Sequence, residues 1–146
     1  MRARGFTLLE LMVVLALLGM AYALVPPLFA TGVSGVELKG AARQLASGLR
    51  KARSHAISTR QEAVLTVDVQ RHTFRLTGDN RTYPLPARVQ LSVYTAKSEV
   101  PAESLGSIRF YPDGSSTGGR VTVASEKRKF RVDVDWLMGR VTVAEL

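Results

Sequence analysis

An apolar run near the start of the chain limits what this sequence can fold into. Between Phe6 and Val25, polar side chains other than tyrosine occur only at Thr7 and Glu10. About twenty residues at a helical rise are enough to cross the hydrocarbon core of a bilayer. Inside lipid each backbone amide must bond within its own segment, so the run is predicted to be a membrane helix. The sequence therefore predicts a transmembrane or assembly segment over residues 6–30.

Length and charge limit what else the chain can contain. Its 146 residues allow this helix and one small domain, but not two domains of ordinary size. The formal net charge is +8, of which Arg2 and Arg4 contribute two. A basic balance can indicate nucleic acid, an anionic membrane surface or only solubility. The absence of cysteine excludes disulfides, zinc–thiolate sites and a cysteine nucleophile.

Two ordinary readings of the apolar run leave one residue unexplained. A secretory signal peptide has a basic start, an apolar core and a small-residue cleavage site, which Ala21-Tyr22-Ala23 partly matches. A signal anchor is the second reading. Neither accounts for Glu10, because a carboxylate near the bilayer centre costs about 2.5 kcal/mol or more. Even near the start of the helix, this charge needs a partner.

The residues around that glutamate carry a family resemblance. Gly5-Phe6-Thr7-Leu8-Leu9-Glu10 closely resembles the cleavage motif of type IV prepilins and of the pseudopilins of type II secretion. The resemblance implies that a prepilin peptidase cuts between Gly5 and Phe6 and then methylates the new amino terminus of Phe6. Residues 1–5 would be the leader peptide, and its arginines would hold that end in the cytoplasm.

The same resemblance gives Glu10 a role in assembly. After cleavage it becomes the fifth residue of the mature chain. The positive amine of one Phe6 could then neutralise Glu10 of a neighbouring subunit in a filament, because each charge is expensive alone in an apolar setting. Glu10 is therefore predicted to be an assembly contact that sets axial register.

A proline pair interrupts the apolar run. Pro26 and Pro27 each remove a backbone hydrogen bond donor and clash with the preceding helical turn. They predict either a helix end or a kink, and the family resemblance favours the kink. A second helical segment follows within residues 31–61, which are predicted to continue into a head domain.

Apolar residues at spacings of three and four predict an amphipathic helix from about Val36 to Ser58. Its apolar stripe consists of Leu38, Ala42, Leu45, Leu49, Ala52 and Ala56. This stripe is expected to pack on the head domain, residues 62–146. There, polar and apolar residues alternate with period two, which predicts antiparallel strands.

The first predicted hairpin of the head joins Leu65–Val69 to His72–Leu76. Tyr83 to Pro86 is read as an extended connection, and residues 96–106 as a polar loop. Further strands are expected at 89–93, 108–111, 120–124, 130–136 and 140–144. In the 130–136 strand, Trp136 is predicted to share one face with Phe130, Val132 and Val134. The sequence thus predicts an α+β, pilin-like fold, with a long hydrophobic helix and an antiparallel sheet or sandwich.

Three short segments of the head sharpen the resemblance. Arg53-Ser54-His55-Ala56, residues 110–115 (Phe-Tyr-Pro-Asp-Gly-Ser) and Gly139-Arg140 are similar to the minor pseudopilin H family. That family also includes a related minor pilin of type IV pili. The resemblance implies a subunit at or near the tip of the periplasmic pseudopilus, which supports export of folded proteins across the outer membrane. The alternative is a minor pilin for fibre priming or DNA uptake.

The implied partners follow from the same resemblance. They are other minor and major pseudopilins, the prepilin peptidase during maturation, and the inner membrane. The chain is expected to cross that membrane once, with its head in the periplasm. Neighbouring genes would separate the secretion reading from the pilus reading.

Other chemistry finds little support in the sequence. His55 and His72 are the only histidines, and neither belongs to a cluster of metal ligands. The aspartates do not follow a calcium-loop spacing. The glycine- and serine-rich loop at 112–119 lacks the lysine and helix of a phosphate cradle, and no segment resembles a nucleophile turn. We therefore predict no catalytic residue, no metal, no cofactor and no enzymatic activity.

Nucleic acid is the remaining candidate partner, and two features of the sequence argue against it. The candidate contacts are Lys127, Arg128, Lys129, Arg131 and Arg140. In the DNA-binding relatives, the glycine-arginine pair is followed two positions later by another arginine, whereas this chain has Thr142. The carboxylates of Asp133 and Asp135 would also weaken attraction to phosphates.

Overall fold

The computed structural model describes residues 5–24, 32–97 and 104–146. The chain divides into two compact units, Met1–Thr31 and Gly32–Leu146. Pro26 and Pro27, the predicted kink, lie outside the described residues.

The first unit contains helix α1, Leu8–Leu24. The Thr7 hydroxyl accepts a hydrogen bond from the Glu10 amide at 3.2 Å, which satisfies one of the free amides at the helix start. Thr-x-x-Glu is the sequence of a capping box, and a carboxylate in the first turn is favourable to the helix dipole. Within the described ranges, no helix is both long enough and apolar enough to span a membrane.

The second unit begins with helix α2, Gly35–Thr59. It starts in the same way, because the Ser34 hydroxyl accepts a hydrogen bond from the Glu37 amide at 3.1 Å. It ends at Arg60, whose φ of 54° is left-handed, a conformation common at the end of helices. The helix predicted over Val36–Ser58 is confirmed and is one residue longer at each end.

In the described residues after α2, eight strands form two antiparallel sheets. They are β1 Ala63–Asp68, β2 Thr73–Leu76, β3 Thr82–Pro84, β4 Gln90–Thr95, β5 Leu105–Phe110, β6 Gly119–Ala124, β7 Lys129–Val134 and β8 Val141–Glu145. The first sheet has the order β3-β2-β1-β5, and the second has the order β4-β6-β7-β8. The Thr95 hydroxyl donates to the Ser107 carbonyl at 2.7 Å and so links β4 of one sheet to β5 of the other. The predicted α+β, pilin-like fold is confirmed.

Three sequence predictions were wrong in detail. Tyr83 and Pro84 belong to a strand rather than a connection, because β3 pairs with β2. The predicted polar loop ends early, since β5 begins at Leu105. Trp136 does not share the buried face of β7: the strand ends at Val134, and Trp136 is exposed. Asp135 causes this change. Its Oδ1 accepts hydrogen bonds from the amides of Leu137 and Met138, and this turns the chain away from the sheet.

The core forms where α2 packs against strands of both sheets. All residues of the predicted apolar stripe are buried: Leu38, Ala42, Leu45, Leu49, Ala52 and Ala56. The first sheet contributes Leu65 and Phe74, and the second contributes Val121 and Val132. One helix therefore supplies the apolar surface that covers a face of each sheet.

Gly48 allows α2 to approach the first sheet closely. A Cβ at this position would lie 2.7 Å from Cε2 of Phe74 and 3.1 Å from Cδ1 of Leu65. Phe74 cannot easily move away, because it is buried and stacks on Tyr83 with ring centroids 5.0 Å apart. The weak helix propensity of glycine is tolerated here because no larger residue fits.

Asp79 ties the loop between β2 and β3 to α2. Its Oδ2 accepts hydrogen bonds from Lys51 Nζ at 2.8 Å and from the Tyr83 hydroxyl at 2.7 Å. Its Oδ1 accepts from the Arg81 amide at 3.0 Å. The bond from Lys51, followed by those from Tyr83 and Arg81, holds the pKa of Asp79 well below its usual 3.8. The charged carboxylate thus stabilises the fold.

We expect Gly48→Ala to destabilise the protein by about 1 kcal/mol or more, because overpacking of a core costs roughly 1–3 kcal/mol and exceeds the gain in helix propensity. Gly40→Ala is the matched control. Gly40 lies in the same helix and has no atom within 4 Å of its added Cβ, so alanine should stabilise by about 0.5–1 kcal/mol. Urea unfolding of the full-length chain in detergent would measure both. Equal stabilisation by the two changes would contradict the packing argument.

Asp79→Asn should remove a pH-dependent part of the stability. The folded pKa of Asp79 is lowered, so its contribution is complete above the unfolded pKa near 3.8 and is lost as the pH falls below it. The variant should therefore have a lower urea midpoint than the parent at pH 7, by a constant margin down to about pH 4.5. The margin should narrow at lower pH. Exposed Glu126→Gln, which removes a carboxylate outside this network, serves as the control; an unchanged margin at pH 3 would contradict the prediction for Asp79.

Candidate functional site

The predicted cleavage site lies just before α1. Gly5 has no atom within 4 Å of a Cβ added to it, and 81% of Phe6 is exposed. Both residues precede the first helical residue, Leu8. The Gly5–Phe6 peptide bond is therefore in a non-helical and accessible segment.

Glu10 lies in the first turn of α1, with its side chain exposed. In the part of the chain that the structure describes, no basic side chain forms a salt bridge with it. The Thr7 hydroxyl caps the helix by accepting a hydrogen bond from the Glu10 amide, as the Ser34 hydroxyl does from the Glu37 amide in α2. Capping explains the position of the amide but leaves the Glu10 carboxylate available.

The three head motifs meet at Arg53. Arg53 Nε donates a hydrogen bond to the Gly114 carbonyl at 3.1 Å, and its side chain passes against Gly139. Gly114 and Gly139 have φ values of 88° and 62°, in the left-handed region that favours glycine. A Cβ on Gly139 would also collide with the Gly114 carbonyl. Segments that are far apart in the sequence thus form one junction, which we call the Arg53 junction.

Hydrogen bonds from neighbouring residues complete this junction. The Ser116 amide donates to the Trp136 carbonyl at 2.9 Å, and the Ser116 hydroxyl donates to the Asp135 carbonyl at 2.9 Å. Asp113 Oδ1 accepts from the Ser115 hydroxyl at 2.6 Å and from the Ser115 amide at 2.9 Å, which lowers the pKa of Asp113. Its carboxylate, like that of Asp135, holds a turn in shape.

A cavity of about 270 Å³ lies between α2 and the loop after β2. It is lined by Lys51, His55, Leu76, Thr77, Gly78, Asp79 and Arg81. The carboxylate of Asp79 already binds Lys51 and Tyr83, while His55 packs against Gly78. Among the described residues, no group of three or more histidines and carboxylates could hold a metal ion. The polar groups of the cavity therefore serve the packing of the loop on the helix.

Two of the predicted nucleic-acid contacts lie beside carboxylates. Arg128 Nε lies 3.7 Å from Glu145 Oε1, and Arg131 Nε lies 2.6 Å from Asp133 Oδ2. The second pair is an ion pair whose geometry is not that of a hydrogen bond. Both arginines therefore have a carboxylate beside them.

The remaining candidates lie at different ends of β7. Lys127 and Lys129 are exposed at its start, whereas Arg140 follows the turn at its far end. A strand of this length separates the two groups by about 20 Å. The structure thus does not bring Arg140 together with the other four candidates.

The sequence reasoning missed the residues that hold these sites in place. Thr7 could have been found, because Thr-x-x-Glu before an apolar run is a capping signal. Asp135 could have been found as well, because its Oδ1 bonds the amides two and three positions later, which is a local Asx turn; only the bond from the Ser116 hydroxyl to its carbonyl comes from another loop. Arg53 was noticed only as part of a motif, whereas its contact with Gly114 spans 61 positions of sequence.

Two family models match this chain, one across the head and one at its N-terminus. The family model described as Type II transport protein GspH matches residues 41–138. The model for the prokaryotic N-terminal methylation motif matches residues 1–24. Type II secretion system protein H from Xanthomonas campestris pv. campestris is 33% identical over 138 residues, which cover 94% of this chain and 81% of that relative.

Solved structures show a similar fold. The minor pseudopilin EpsH from the type 2 secretion system of Vibrio cholerae matches with a TM-score of 0.56 and 16% identity, over 75% of this chain and 96% of that chain. The type IV minor pilin FimU of Pseudomonas aeruginosa matches with a TM-score of 0.58 and 16% identity, over 74% and 88%. These likenesses support the fold, and the sequence matches establish the family. This chain belongs to the GspH family of type II transport proteins.

Proposed function

We propose that this protein is a minor pseudopilin of a type II secretion system. It acts as a structural subunit at or near the tip of the periplasmic pseudopilus and supports export of folded proteins across the outer membrane. The observation that carries the proposal is the combination, in one chain, of a GspH match across the head and a methylation motif at residues 1–24. Its mechanism is assembly and contact with other pseudopilins, without catalysis.

Maturation begins at the exposed Gly5–Phe6 bond. The prepilin peptidase cuts this bond and methylates the new amino terminus of Phe6. The basic leader holds residues 1–5 on the cytoplasmic side, while the apolar segment anchors the chain in the inner membrane with a single pass. The head then lies in the periplasm. Cleavage at this bond is supported by its accessibility, because the bond lies outside α1.

Assembly pairs the Phe6 amine of one subunit with Glu10 of another. Two opposite charges 4 Å apart attract by about 4 kcal/mol at an effective dielectric constant of 20, and this offsets part of the cost of placing them among apolar helices. The proposal is supported by the exposure of Glu10 and by its capping contact, which uses only the amide. The pair would fix the axial position of each subunit.

A minor pilin of type IV pili is the second candidate function. At the level of the fold, the likeness to FimU, with a TM-score of 0.58, supports this pilus function as much as the likeness to EpsH supports secretion. Under this alternative, the exposed Lys127 and Lys129 would be candidates for DNA contact.

Deleting the gene for this chain separates the two functions. We expect secreted enzymes to accumulate in the periplasm, because the pseudopilus lacks a subunit, while pilus-dependent motility and DNA uptake remain normal. Complementation with the parent gene is the control. Normal secretion with a loss of motility or of DNA uptake would overturn the proposal in favour of the pilus function.

Glu10→Ala should impair assembly after normal maturation. We expect the variant to remain in the membrane fraction and to show the mass of a chain that starts at methylated Phe6. Its yield in sheared pseudopili should fall at least roughly tenfold, which corresponds to a loss of about 1.4 kcal/mol.

Glu37→Ala is the matched control for this change. Glu37 holds the same position after a helix cap, with its amide bonded to Ser34, but it lies in the amphipathic helix α2, outside the apolar segment. If the loss of any glutamate from a first helical turn impaired assembly, both variants would assemble poorly. Normal incorporation of Glu10→Ala would contradict the proposed ion pair.

A further inference from the structure

Three consecutive apolar side chains are exposed at the turn between β7 and β8. Trp136, Leu137 and Met138 are 66%, 61% and 62% exposed, and we call them the apolar turn. Exposed Ile57 of α2 lies 3.4 Å from the position of a Cβ on Gly114, whose carbonyl borders Gly139 at the end of this turn. Contiguous apolar surface of this kind on a soluble domain commonly marks an interaction site.

The fold holds the apolar turn without using its side chains. Asp135 Oδ1 accepts from the amides of Leu137 and Met138, at 3.0 and 2.7 Å. The Gly139 amide donates to the Asp135 carbonyl at 2.9 Å. Polar residues at positions 136–138 could make the same backbone bonds. The turn is therefore pre-organised to present apolar side chains, which reduces the entropy lost when a partner binds.

Basic side chains outnumber carboxylates near the apolar turn. Arg53 lies against Gly139, and Arg50 Nη2 donates to the Val141 carbonyl at 3.4 Å. Arg140 is exposed directly after the turn. The two carboxylates nearby, Asp135 and Asp113, are each held by the amides of their own turns. A partner that fits this rim has carboxylates around an apolar pocket.

The charge of the whole head identifies the kind of partner. Only Arg2, Arg4 and Glu10 of the chain's 20 basic and 12 acidic residues precede the head unit, so the head has 18 basic and 11 acidic residues. Two such heads repel each other, which disfavours a second copy of this chain. Trp136 has the one ring in the apolar turn that could stack on a base, and Leu137 and Met138 have none, which disfavours nucleic acid.

We propose that the apolar turn inserts into an apolar pocket, ringed by carboxylates, on the acidic head of a different pilin-like subunit. This inference rests on the proposed function and names its contact surface. Trp136 supplies the largest buried area, since aromatic side chains in the centre of an interface commonly carry much of the binding energy. Arg140 supplies the charge that selects an acidic partner.

Site-specific photo-crosslinking in cells would test this surface. A benzophenone amino acid is placed at position 137 of the full-length chain, which is produced together with its companion prepilin-like subunits. Position 127 is the control, because its turn lies at the opposite end of the second sheet. We expect a covalent adduct with a prepilin-like subunit of net acidic head from position 137 only.

A charge reversal then tests the rim. In the chain crosslinked through position 137, Arg140→Glu should lower the adduct yield at least fivefold, whereas Lys127→Glu should leave it unchanged. Thermal unfolding midpoints of both variants should equal that of the parent, because both side chains are exposed. A variant with Trp136→Ser and Met138→Ser should likewise keep the parent midpoint and lose the adduct.

Several results would overturn the inference. They are an adduct with a second copy, an adduct removed by nuclease, no adduct from position 137 in cells that secrete normally, or no effect of Arg140→Glu. The last two leave the secretion function intact. An adduct with an acidic subunit of a type IV pilus, in cells whose secretion does not need this chain, would instead support the surface and overturn the proposed function.

Discussion

Burial of the apolar stripe of α2 is the interaction on which the head depends. Each four-stranded sheet has one face to remove from water, and the same helix covers both. Leu38, Leu45 and Leu49 are fully buried in this layer. The closeness of the layer requires Gly48, since a Cβ there would overlap Phe74. Without α2, each sheet would expose the residues that now form its core.

The packed helix also arranges the surface. Its apolar face enters the core, while Lys51 holds the loop after β2 through Asp79, and Arg53 holds the turns at Gly114 and Gly139. Both cations therefore stabilise the fold, independently of any binding surface. The Arg53 junction fixes the turn that follows β7, so the apolar side chains there can be exposed on a rigid backbone.

The two proposed contacts, one at Glu10 and one at the apolar turn of the head, depend on different physical effects. At Glu10, a carboxylate among apolar residues needs an opposite charge, which a processed Phe6 amine would supply. At the head, apolar side chains need a partner that removes them from water, and a basic rim selects an acidic one. The first contact would set the position of a subunit along the filament, and the second would set which subunit lies beside it.

The sequence by itself determined the features that depend on local pattern. The Gly5 to Glu10 motif, the stripe of α2 and the period-two strands could be predicted because near neighbours and helical or strand periodicity define them. Tertiary structure alone decided the pairing of β3, the partners of Asp79, the need for glycine at Gly48 and the exposure of Trp136. The bond from Lys51 to Asp79 and the need for glycine at Gly48 depend on residues that are distant in sequence and meet only when α2 packs on the sheets. The pairing of β3 with β2 and the turn at Asp135 are local, but strand periodicity does not define where a strand begins or ends. Alternation predicted a buried Trp136 because it contains no information on where Asp135 ends the strand.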